Sequence, residues 1–145
     1  PEEYIEDITL RLSMYRKIAS SKSTEALEST GAEIADRFGK APEEVNNLID
    51  VMRLKIMAKH LLITKIQNMN GTISVLFSKN TRVAVDDIFR LRKTMDGKLR
   101  FLPDGFEINL KGVPWGETYG TVSSLFTCLM NSDTFNEMKN KGAGE

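Results

Sequence analysis

Apolar positions along the chain change their spacing near residue 62, where a helical part gives way to a strand-rich part with interspersed helices. Leu10, Met14 and Ile18 recur every fourth residue, the spacing that stacks side chains on one helical face. They predict a helix over about 7–19 with Asp7 as its N-cap. Ser23 or Thr24 can accept orphan amides at the start of a second helix, whose apolar side is Leu27, Ile34, Ala35 and Phe38 and whose stop is Gly39. Pro42 opens a third helix at the position where a missing amide costs nothing. Its apolar stripe of Val45, Leu48, Ile49, Met52 and Ile56 is widened by Val51, Leu54, Met57 and Leu61, which predicts a central rod buried on more than one side.

Beyond Leu62 the period falls to two. Segments 65–69 and 72–77 flank Asn70-Gly71, a pair that takes the positive backbone angles of a tight hairpin. Asp86 or Asp87 is the expected cap of a short helix through Ile88, Phe89 and Leu91 that ends before Asp96-Gly97. Segments 98–102 and 106–110 predict a second hairpin around Pro103-Asp104-Gly105. Residues 111–116 read as a loop holding Trp115, and 117–130 as a last helix with Tyr119, Val122, Phe126, Leu129 and Met130 on its apolar side. Three helices followed by antiparallel hairpins with interspersed helices make an α+β fold. The expected organisation is one domain over 1–132, helical over about 7–62 and β-rich over about 64–131, with 133–145 a flexible, fraying tail.

Composition narrows the function classes. Twenty basic residues balance twenty acidic ones, so no overall field draws in nucleic acid, membrane or acidic substrate, and charged contacts are expected to be local. Cys128 is the only cysteine; an intrachain disulfide is excluded, and a reducing compartment is the simpler expectation. The apolar runs are only a few residues long, against the roughly 20 a membrane helix needs, so no membrane role is expected. The chain opens at Pro1 with no charged-then-apolar leader, which reads as a piece of a longer, non-exported protein.

The residues nominate no catalytic constellation. Lys22-Ser23 lacks the glycines of a phosphate-binding loop, so no ATP or other cofactor is expected in this segment. His60 and Cys128 are too few for a metal site; His60 is expected at a helix C-terminus and Cys128 in or near the core. Glu43-Glu44 and Asp86-Asp87 point about 100° apart on a helix and do not converge. The one basic cluster, Arg90, Arg92, Lys93, Lys98 and Arg100, leaves a nucleic-acid-binding module as the alternative function.

Glu33 and Asp36 lie three apart in the second helix, off its apolar side, and Arg37 can pair with Glu33 within the helix. They are a solvated face or a pair of acceptors for a partner's arginines. The run Arg11-Leu12-Ser13-Met14-Tyr15-Arg16-Lys17-Ile18-Ala19-Ser20, then Glu33-Ile34-Ala35-Asp36-Arg37-Phe38-Gly39, Pro42 and Arg53-Leu54-Lys55 resembles the C-terminal (TRCF) domain family of the bacterial transcription-repair coupling factor Mfd. The resemblance covers the first half of the chain and fades after Ile66. It implies a non-catalytic, cytoplasmic regulatory domain of a DNA-translocating ATPase, whose motor, elsewhere in the parent chain, uses ATP and magnesium. The family engages stalled RNA polymerase and double-stranded DNA and recruits UvrA through a UvrB-like module. The C-terminal domain rests on that module and hides its UvrA-binding surface. Glu33 and Asp36 occupy the motif positions whose carboxylates face arginines of the UvrB-like module, so the implied intramolecular interface is Glu33, Asp36 and Arg37.

Overall fold

The computed structural model describes residues 1–143. Ten elements follow in the order α1 (Ile8–Ala19), α2 (Thr24–Phe38), α3 (Glu43–His60), β1 (Ile63–Met69), β2 (Thr72–Phe77), α4 (Val85–Thr94), β3 (Leu99–Leu102), β4 (Gly105–Asn109), α5 (Trp115–Met130) and α6 (Asp133–Ala143). Helices combined with one antiparallel sheet make this α+β, as the spacing of apolar residues predicts. The chain gathers into two compact units, Pro1–Ile56 and a second that starts at Met57. The boundary falls inside α3, where the stripe of apolar residues continues without a break and so gives no sign of it.

The first unit is built by local rules. Asp7 accepts the Leu10 amide at 2.9 Å and Ser23 accepts the Ala26 amide at 3.1 Å, so both helix starts are capped by the expected side chains. Gly39 ends α2 at φ 86°, a left-handed angle that favours glycine. The core gathers Ile5, Met14, Ile18, Leu27, Ile34, Met52 and Ile56. Tyr4 closes its edge: the phenol donates to the Gly39 carbonyl at 2.7 Å, and its ring meets Phe38 edge-on at 6.0 Å. Leu54 and Ala58 of α3 are also buried, on the side of the helix opposite Met52 and Ile56 given 100° per residue. The rod is thus buried on two faces.

The second unit holds a four-stranded antiparallel sheet in the order β1-β2-β4-β3. Asn70 and Gly71 turn the first hairpin at φ 53° and 87°, as the dipeptide predicts. Ile73 and Val75 of β2, Phe106 and Ile108 of β4 and Leu99 of β3 are buried on one face. Ile88 and Leu91 of α4 and Val122, Leu125, Phe126 and Leu129 of α5 complete the buried interior.

Four local expectations are corrected. Gly105 is not a turn residue: it begins β4 and pairs with both Leu102 and Leu76, leaving Pro103-Asp104 as the turn. Trp115 does not sit in a loop, because Pro114 takes the N-cap position and Trp115 opens α5. Neither Asp86 nor Asp87 is the N-cap of α4; Ala84 is, and Asp87 reaches back to accept its amide at 3.0 Å. The polar tail expected to fray from 133 is helical through Ala143, started by Ser132, whose Oγ accepts the Phe135 amide at 3.1 Å, and anchored by buried Phe135. Residues 144–145 of that expected tail lie outside the described residues.

Candidate functional site

α2 buries Leu27, Thr30 and Ile34. At 100° per residue, Asp36 falls on the side of the helix opposite that stripe and Glu33 about 100° from Ile34. The fold therefore presents both carboxylates away from the first unit's core, as the spacing predicts. Asp36 and Arg37 are exposed, and the Glu33 side chain is 35% exposed.

The two carboxylates differ in company. Glu33 Oε2 is in an ion pair with Lys17 of α1, and Glu33 Oε1 is 3.5 Å from Arg37 Nη1. The Lys17 hydrogen bond, helped by the nearby charges of Lys17 and Arg37 and opposed by partial desolvation, holds the Glu33 carboxyl below the usual glutamate range. Arg37 also lies over the Phe38 ring at 5.2 Å from its centroid, a cation–π contact. The pairing of Arg37 with Glu33 follows from the four-residue spacing; Lys17 escapes sequence reasoning because it lies on another helix, 16 residues away. Among the described residues Asp36 makes no ion pair, so α2 presents one engaged carboxylate and one open one. Asp36 can take up a guanidinium group from a partner on its two acceptor oxygens, whereas each Glu33 oxygen already has a cation beside it.

The basic cluster is not gathered on one surface. Arg90 stands beside Asp87 at 3.7 Å, and Arg92 lies over the Phe101 ring at 5.6 Å. Arg100 is ion-paired with Glu107 across the β3–β4 ladder. Successive strand residues alternate faces, so Arg100 projects from the face opposite Phe101, the residue that meets Phe89 of α4 at 4.6 Å. Lys93 and Lys98 are exposed. His60 ends α3, as expected, whereas Cys128 is exposed on α5 rather than in the core. No group of three or more His, Cys, Asp and Glu side chains is placed to hold a metal among the described residues. No helix among them is long and apolar enough to cross a membrane.

Residues 1–88 match the model of the TRCF domain family, a span that contains Glu33, Asp36 and Arg37. The transcription-repair-coupling factor of Rickettsia bellii is 30% identical over 111 residues, which is 77% of this chain and 10% of that protein. The transcription-repair-coupling factor of Escherichia coli is 38% identical over 81 residues, 55% of this chain and 7% of that protein. The chain thus spans about a tenth of the length of the curated relatives it matches. A crystal structure of the C-terminal domain of transcription-repair coupling factor superposes with a TM-score of 0.82 at 19% identity, covering 94% of this chain and 88% of that one; at that identity the likeness concerns the fold. With more than half of its length matched by the family model, this chain belongs to the TRCF domain family.

Proposed function

We propose that this chain is a non-catalytic regulatory domain of a DNA-translocating ATPase that couples transcription to nucleotide excision repair. In this reading it rests on the UvrB-like module of the same polypeptide and covers the surface that binds UvrA. It lifts away when the motor, driven by ATP and magnesium elsewhere in the parent chain, engages stalled RNA polymerase and double-stranded DNA in the cytoplasm. The observation that carries the reading is the outward acidic face of α2, where Asp36 makes no ion pair among the described residues and Glu33 is engaged by Lys17 and Arg37, in a chain of the TRCF domain family.

The chemistry suits a contact that must open. Exposed ion pairs contribute roughly 0–1 kcal/mol each, while a bidentate arginine–carboxylate pair adds directional specificity. A coupling of about 1–3 kcal/mol between closing and UvrA binding changes UvrA affinity roughly 5- to 150-fold. Reversing both charges, Glu33→Lys with Asp36→Lys, in the full-length parent protein should raise UvrA binding within that range. Unchanged UvrA binding would reject these residues as the clasp. Neither substitution touches the buried stripe of α2, but Glu33→Lys also removes the pair with Lys17 of α1, so thermal unfolding of the variant checks that its fold survives.

A further inference from the structure

Asp87, the third residue of α4, is 3% exposed. Its Oδ2 accepts the Ala84 amide at 3.0 Å, which closes the helix start. Its Oδ1 is buried and accepts no hydrogen bond. The cation beside it is Arg90, whose Nη1 stands 3.7 Å away on a side chain that is 67% exposed, beyond hydrogen-bonding distance. A buried carboxylate oxygen without a donor is costly, and native structures carry few such orphans.

That carboxylate lines an open groove of about 890 Å³ between α4 and α5. Leu91, Leu125 and Leu129, all buried, form the apolar floor. The α5 wall carries Gly120, Ser124 and Cys128, four residues apart and hence in one row. A Cβ added at Gly120 would meet nothing within 4 Å, and Ser124 and Cys128 are exposed, so the wall is low and another backbone can approach. The charged side chains of the lining are two carboxylates, Asp87 and Glu117, against one guanidinium, Arg90, leaving one negative charge in excess.

We propose that this groove is a docking site for an amphipathic helix of a protein partner that directs one arginine or lysine at Asp87. Because Oδ1 has almost no accessible surface, the partner's cation reaches it by displacing the exposed Arg90 side chain; it then supplies the donor that Oδ1 lacks and balances the excess charge. The apolar side of the same helix covers the leucine floor, which a free amine or a metal ion would leave wet. The ten residues of α4 run about 15 Å, room for between two and three turns of a docked helix. Nucleic acid is disfavoured by the sign of the charge. The α5 wall lies outside the span that the family model matches, and the proposal does not depend on the acidic face of α2.

The test is a titration of the isotopically labelled chain, followed by NMR, with an alanine-rich helical peptide that carries a leucine stripe and one central arginine. The same peptide with glutamine in place of the arginine is the control. The arginine peptide should shift the amides of Gly120, Thr121 and Ser124, and the glutamine peptide should bind about ten-fold more weakly, the scale of one hydrogen bond to a charged group. Asp87→Asn keeps an oxygen for the Ala84 amide and removes the charge; it should lower affinity for the arginine peptide by about the same factor. Ser124→Trp, a change at an exposed position, fills the groove and should abolish binding even if the Asp87 variant folds poorly. Equal binding of the two peptides, undiminished binding by folded Asp87→Asn, or no shifts at the groove with the arginine peptide would each overturn the proposal.

Discussion

Among the described residues Glu33 has two cations beside it and Asp36 has none, so the two carboxylates are unequal acceptors although both face outward. Lys17 contributes most to depressing the Glu33 pKa. Because the folded value is lowered, the stabilisation from this pair is present above the ordinary glutamate pKa and is lost as pH falls through the depressed value. Solvent screening keeps it small. Replacing Lys17 with Gln should move the Glu33 carboxyl back up towards the ordinary range, measured by NMR titration of its side chain; an unmoved value would mean that Arg37 alone holds it. Sequence spacing along one helix reveals the Arg37 partner but not Lys17, because cross-helix neighbours depend on how α1 and α2 meet. Asp87 is similarly half-legible: its place near a helix start is readable, whereas the burial of its second oxygen depends on the packing of α4.

At the scale of elements, the strictest local demand is at Gly105. A Cβ there would lie 1.8 Å from the Val75 carbonyl oxygen and 2.9 Å from its carbon, with backbone on the receiving side, so β2 and β4 would have to part. Gly105→Ala should therefore cost about 3 kcal/mol or more and lower the melting temperature by roughly 10 °C, as read by thermal unfolding. A melting point within a few degrees of the original would show that the strand pair yields easily. Ser23→Ala removes the cap of α2 and should cost about 1 kcal/mol, measurable by urea unfolding; no change would mean that water replaces the cap. The sequence makes α1, α2, α3 and the first hairpin legible because caps, periodicity and turn residues agree there. The start of α5 is obscured because Gly112, Pro114 and Gly116 look like loop punctuation, although Pro114 sits at an N-cap. α6 is obscured because it buries Phe135 within a polar run, too little apolar surface to set up a visible period.

For the whole molecule, twenty acidic and twenty basic residues cancel, so recognition cannot come from a general field and must come from local faces. The family and the α+β class are legible from sequence because motif spacing and the switch in hydrophobic period survive without tertiary information. The division at Ile56 and Met57 is not, since one continuous amphipathic helix carries residues of both units. Leu27, fully buried in the core of the first unit, sets the stability of the unit that bears the acidic face. Leu27→Ala should cost about 2–5 kcal/mol by chemical denaturation, and a loss below 1 kcal/mol would show that this core relaxes around the cavity.

The central claim is that complementary charge on α2 holds this domain against a UvrB-like module. Its most direct test is the affinity of this chain for that isolated module, measured by calorimetry over a range of salt concentrations. The account predicts one-to-one binding that weakens as salt screens the contact and disappears when Glu33 and Asp36 are both changed to Lys. Absence of association at low salt, or equal binding by the charge-reversed chain, would contradict it.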